Sequence, residues 1–163
     1  MNAVEIPRIN LPESIEQLQR MPDFVLSAIA AVGRDRVRFK LAPEDFCLLE
    51  HACHLRDLER EGYLVRVRRM LSEPRPALEP FDGAAVAASR NYMEQDARVA
   101  AQEFGAARKE LLGLLAPLTN VELDRAGTFG DKPIRLGEMI AMMVAHDHEH
   151  RMEIEALLDS VED

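Results

Sequence analysis

Five histidines are confined to two stretches of the chain: His51 and His54 in one, and His146, His148 and His150 in the run His146-Asp147-His148-Glu149-His150 in the other. At about 100° per residue, Leu136, Met139, Ile140, Met143, His146, Asp147, His150, Ile154, Leu157, Leu158 and Val161 fall on one side of a helix. That apolar side is the one a helix buries. Two imidazoles and a carboxylate therefore stand where Leu or Met is expected, and His148 points to solvent. Buried polar groups need partners, and a His pair at i, i+4 offers two nitrogens to one point, an arrangement suited to a metal ion. At least three ligands are needed, so the earlier stretch must supply another. His51 lies nearer the centre of its apolar stripe, whereas His54 lies on the flank with Asp57 one turn on as an acceptor for its ring. The pattern leaves that choice open.

These groups need a scaffold, and the composition favours helices: Leu, Ala, Met, Glu and Arg dominate, aromatics are 5% and Trp is absent. Pro12 opens a short helix and Pro22 a second segment, Asp23 to Val32, ended by Gly33. Pro43-Glu44-Asp45 reads as the start of a helix running to about Leu71, with Leu48, Ala52, Leu55, Leu58 and Val65 on its stripe. Gly62 inside it costs roughly 1 kcal/mol against Ala and points to a close contact or a bend. Arg56, Arg60, Arg66, Arg68 and Arg69, set against Asp57, Glu59 and Glu61, read as a solvated, ion-paired face.

Pro74, Pro76 and Pro80 make Ser72 to Gly83 a crossover loop. A third helix follows from about Ala84 to Leu115, breakable near Tyr92, with Val99, Phe104, Ala107, Leu111, Leu114 and Leu115 facing inward. Thr119 to Leu123 fits one capped turn, Ala126 to Arg135 a loop, and Met139, Met142 and Met143 core packing. No strand shows sustained alternation. The expected fold is an all-α four-helix bundle with a long crossover between helices two and three, forming a single domain over residues 1–163 with 1–10 as an extended lead-in.

A net charge of −9 argues against nucleic acid or an anionic membrane as partner, because phosphate binding relies on Lys and Arg. No apolar run approaches the roughly 20 residues of a membrane span, and no basic-then-apolar leader is seen at the N-terminus, so a cytoplasmic location is expected. Cys47 and Cys53, about 9 Å apart along one helix, are too distant to pair with each other.

His54-Leu55-Arg56-Asp57-Leu58-Glu59, with Leu136-Gly137-Glu138-Met139 and His146-Asp147-His148-Glu149-His150-Arg151-Met152-Glu153-Ile154, resembles the DinB-like superfamily of metal-binding four-helix bundles. Tyr92 and Arg108 fall where that family tends to place a Tyr and an Arg on its third helix, and the resemblance covers about residues 15 to 160. It implies a metal-binding triad of His54, His146 and His150, with His51 and His148 outside it. Two departures stand out: Glu153 replaces a frequent Gln, and Arg135 replaces a Thr or Ser that would cap the last helix for about 1 kcal/mol.

Three neutral imidazoles leave a divalent ion with open positions. Zinc is the first choice, with nickel, iron or manganese compatible with the same donors. Such an ion can lower the pKa of a bound water to about 7 or activate a thiolate. Asp57 and Glu153 are the candidate catalytic carboxylates, with Asp147 and Glu50 behind them. No HExxH, P-loop, nucleophile elbow or dinucleotide fingerprint is present. The resemblance implies a metal-dependent enzyme acting on small molecules, of the type that transfers to a low-molecular-weight thiol. The alternatives are a metal-dependent hydrolase and a non-catalytic stress-associated metal-binding or interaction protein. A homodimer through exposed apolar helix faces is the expected assembly.

Overall fold

The computed structural model describes residues 8–161, without the Val161 side chain. Residues 1–7 of the expected lead-in lie outside it. Four long helical rods form the bundle: α1 (Leu11–Val32), a composite rod, α5 (Ala97–Leu115) and α7 (Leu136–Val161). The composite rod consists of α2 (Leu48–Asp57), a π-helical turn (Leu58–Tyr63) and α3 (Leu64–Ser72). α1 packs on α5 and α7, and α2 packs mainly on α5. The short pieces are α4 (Gly83–Ser89), a 3-10 turn (Tyr92–Glu94) and α6 (Asn120–Leu123). As expected, the third helical region is broken near Tyr92.

Asn10 caps α1 by accepting from the Glu13 N–H at 3.1 Å. Pro22 does not open a new helix; it lies within α1, which runs through it to Gly33. The second rod also starts later than Pro43, at Leu48, where the Glu50 carboxylate accepts from the Cys47 N–H at 3.1 Å. Pro43 instead belongs to a turn closed by Asp45 N–H on the Ala42 carbonyl.

The π-helical turn explains several differences from the sequence pattern. Its wider winding inserts one extra residue, which rotates everything after it by about 100° relative to a continuous α-helix. Val65, expected on the apolar stripe, is 44% exposed, while Tyr63, Leu64, Val67 and Met70 are buried. The same rotation turns Arg66 inward, and the arginine and acid face expected to be solvated is further split because Arg56, Asp57 and Glu59, which precede the rotation, are buried as well. At Gly62 a Cβ would come within 2.9 Å of the terminal methyl of Leu58, so a larger residue there would make that side chain shift. Val99 and Met142, also expected inside, are exposed.

The segment expected to be a loop before the last helix is a β-hairpin, β2 (Ala126–Phe129) and β3 (Lys132–Arg135), joined to β1 (Ala77–Leu78) in a three-stranded sheet ordered β1-β2-β3. Gly130 supplies the positive φ at its tip. Strands this short carry too few residues to show alternation. At the α7 start, where Arg135 offers no cap, the Leu136 N–H donates to the Arg125 carbonyl at 3.0 Å.

The core has two apolar regions. One joins the end of the rods near the hairpin, including Val67, Met70, Leu111, Leu115, Leu136 and Ile140; the other includes Val25, Leu49, Tyr92, Phe104 and Ile154. No helix among the described residues is long and apolar enough to cross a membrane.

Candidate metal centre

α7 is held in rotation by Arg108. This guanidinium, buried on α5, donates to Glu59 at 2.9 and 2.8 Å, to Asp147 at 2.6 and 3.1 Å, and to the Leu18 carbonyl at 2.8 Å. Three other rods are thereby tied to α5. Burial raises Glu59, against the charge of Arg108, and the two carboxylates raise Arg108 despite its own burial. Glu59 lies seven residues after the buried Ala52 and so falls on the same inward face of the rod. Asp147, next to His146, is thus a strut for α7 and not a ring acceptor.

With α7 so fixed, His146 and His150 face α2. The donor atoms of His54, His146 and His150 lie within 4.8 Å of one another. His146 Nε2 and His150 Nε2 are 3.1 Å apart, and the His54 ring centroid is 5.8 Å from His146 and 4.9 Å from His150. His148 is exposed, as expected from its place on the helix. His54 is pressed against the crossover segment: a Cβ on Gly83 would sit 2.6 Å from its Cε1 and 2.9 Å from its Nδ1. Glycine leaves room for the ring there.

His51 joins from the other side. Its Nδ1 is 2.8 Å from His150 Nδ1, and its Nε2 is 3.4 Å from a Glu153 carboxylate oxygen. His51, His150 and Glu153 also have donor atoms within 4.8 Å of one another. The facing nitrogens of His51 and His150 are already paired, however, so this group forms a relay behind His150. If His150 gives Nε2 to an ion, its Nδ1–H donates to His51, whose Nε2–H faces Glu153. Such outer contacts fix tautomer and ring orientation in metal sites.

All four imidazoles favour the neutral form. Burial lowers His51 and His54 to about 4 and His150 to about 2, with charge on neighbouring histidines adding to the effect. Burial likewise lowers His146, against the nearby Asp147 and Glu149. Neutral rings are what a metal ion requires. Moreover, His54 Nδ1 and His146 Nδ1 are buried without any hydrogen-bond partner among the described residues. A withheld polar atom costs about 1–3 kcal/mol. The donor set, its neutrality and these unpaired nitrogens fit a divalent ion.

Asp57 is brought into the interior but not to the histidines. Its oxygens accept from Tyr92 Oη at 2.6 Å and Arg56 Nε at 2.9 Å, with Arg90 3.3 Å away. Burial opposes ionisation there, and the bonds from Arg56 and Tyr92 outweigh it, lowering its pKa. Glu50 is occupied by the Cys47 N–H and Lys40. Beside His54 and His146 lies a cavity of about 390 Å³ whose walls include Tyr63, Arg66, Phe81, Phe129 and Glu149. Sequence reasoning missed these residues. Tyr63 and Arg66 depend on the π turn and Phe129 on the hairpin; a Glu three residues after His146 was the one visible signal.

The model of the DinB superfamily matches residues 16–154. The chain belongs to the DinB superfamily. No curated protein matches it. A solved structure of YfiT from Bacillus subtilis, described as a probable metal-dependent hydrolase with an unusual four-helix bundle topology, matches with a TM-score of 0.84. That match covers 96% of this chain and 90% of YfiT at 20% identity. The likeness supports the DinB fold, including the long crossover between the second and third rods.

Proposed function

We propose that this DinB-superfamily chain is a metal-dependent enzyme acting on small molecules, with His54, His146 and His150 holding one divalent ion, zinc by first choice. The observation that carries this is the convergence of three neutral imidazoles from two rods, two of them with a buried unpaired nitrogen. Three nitrogen donors leave an open position facing substrate. When bound, the ion supplies Lewis acidity that polarises an electrophile and acidifies a water or a thiol.

The chain's own residues supply the rest. His51 and Glu153 orient His150 through its outer nitrogen, which makes Glu153 a positioning residue. Asp57, held by Tyr92 and two arginines, maintains the crossover against α2. Glu149 is the carboxylate in the cavity lining, and it accepts the proton released from the nucleophile. Tyr63, Phe81 and Phe129 exclude water from one side of the cavity.

Transfer to a low-molecular-weight thiol is the first reaction type, since a site of this kind accepts a thiolate in its open position. Hydrolysis is the second, favoured by the description of YfiT. Elemental analysis of the purified protein, followed by assay of the zinc-loaded chain with cysteine plus chlorodinitrobenzene and separately with nitrophenyl esters, separates them. One ion per chain and thioether formation lost in His150→Ala support transfer; ester cleavage with the same dependence supports hydrolysis. A chain that neither holds nor takes up an ion overturns both.

A further inference from the structure

Among the buried arginines, Arg66 differs from the others. Arg108 and Arg56 each meet a carboxylate. Arg66 is only 7% exposed, and among the described residues it makes no ion pair or hydrogen bond. Its contacts are aromatic: Cζ lies 4.7 Å from the Phe129 ring centroid and 5.5 Å from that of Tyr63. Aromatic faces attract a cation but do not use the five N–H donors of the guanidinium. Burial lowers the Arg66 pKa and the Tyr63 hydroxyl offsets only part of that, yet an arginine keeps its charge in such surroundings.

Those donors line the same cavity as His54 and His146. The remaining walls are largely apolar, including Phe81, Met142 and Pro80. Glu149 is the acid among them, and no ion pair joins it to Arg66. A cavity of about 390 Å³ is in the range of small-molecule sites. A planar, charged fork held between two rings matches a carboxylate through two parallel hydrogen bonds.

We propose that Arg66 anchors the carboxylate of a small, partly apolar acid in this cavity. Its apolar body lies against Tyr63, Phe81 and Phe129, and its other end reaches His54 and His146. The assignment deepens the proposed function, on which it rests for the placement of the reacting end. Arg66 is a specificity residue: it selects the anionic substrate and takes no part in the bond changes.

The test uses benzoate and its neutral isostere benzamide, titrated calorimetrically into the full chain, both stripped with a chelator and loaded with zinc. The native metal-free chain is expected to bind benzoate about tenfold or more tighter than benzamide, as a charge-assisted pair provides. Arg66→Gln should level the two ligands while taking up zinc as the native chain does, and Arg66→Lys should restore part of the preference. A preference that persists in Arg66→Gln, that is absent in the native chain, or that appears only with zinc bound overturns the proposal. Failure of the metal reading shows separately, as absence of zinc uptake in the native protein. Zinc uptake and the thermal melt of both variants establish that they fold.

Discussion

Two polar groups are buried where the composite rod meets α7, and they are satisfied in opposite ways. In the Arg108 group every strong donor has an acceptor: two carboxylates and a carbonyl meet one guanidinium. In the histidine group two nitrogens have no partner and the rings are held uncharged. A buried charge network that is complete needs nothing further, whereas a buried polar atom left without a partner calls for an explanation, of which a bound ligand nearby is one. The first group sets the rotation of α7; the second uses that rotation to present His146 and His150.

Acid should separate the two groups most sharply. In the unfolded chain the histidines titrate near 6.5, while His51 and His54 in the fold wait until about 4 and His150 lower still. Below pH 6.5 the unfolded state therefore binds more protons, and stability falls with falling pH. Each imidazole that stays neutral contributes about 1.4 kcal/mol per pH unit, giving several kcal/mol for the metal-free protein by pH 5. Urea midpoints recorded from pH 7.5 to 5 measure this. A flat profile would mean that the rings are hydrated in the fold.

Removing Arg108 attacks the other group. Arg108→Met leaves Glu59 and Asp147 buried without their cation, and loss of about 3–5 kcal/mol is expected, measured by urea unfolding at pH 7. Restoring the balance with Glu59→Gln and Asp147→Asn in the same chain should return part of it. No recovery would show that shape, and not charge, holds the three rods there.

Zinc then tests the incomplete group by filling it. At free zinc a hundredfold above its Kd, the metal-free chain should gain about 2.7 kcal/mol, and His54→Ala, His146→Ala and His150→Ala should each lose that gain. His148→Ala should keep it, because its ring is exposed. Equal loss in His148→Ala would place the site on the wrong face of α7.

Much of this contrast can be read from the amino acids alone. The four rods, the crossover and the face of α7 follow from a 3.6-residue period sustained over long segments, and His146 and His150 follow from that face. Position 51 against 54 does not, because both border one stripe; only the resemblance to the DinB-like superfamily favours His54, and in the structure His51 backs His150. The π turn leaves no mark in periodicity until its extra residue is known, which is why Val65 reads as core and Arg66 as surface. The hairpin is hidden by strands of four residues whose partner, β1, lies far away in sequence.

The smallest effect expected concerns Gly83, where the comparison can be sharpened without touching a ligand. Alanine at the first position of α4 would bring Cβ to 2.6 Å from His54 Cε1, so the ring must leave its present place beside His146 and His150. Relative to glycine, alanine also stiffens the unfolded chain and favours the helix by up to about 1 kcal/mol. Metal-free stability should therefore hold or rise slightly in Gly83→Ala, while zinc affinity falls about tenfold, as it does when a contact that orients a ligand is lost. Opposite signs in the two measurements are the mark of a residue kept for ring placement. If stability and zinc affinity fell together, Gly83 would be serving the packing of the crossover, and the histidine group would not depend on it for its geometry.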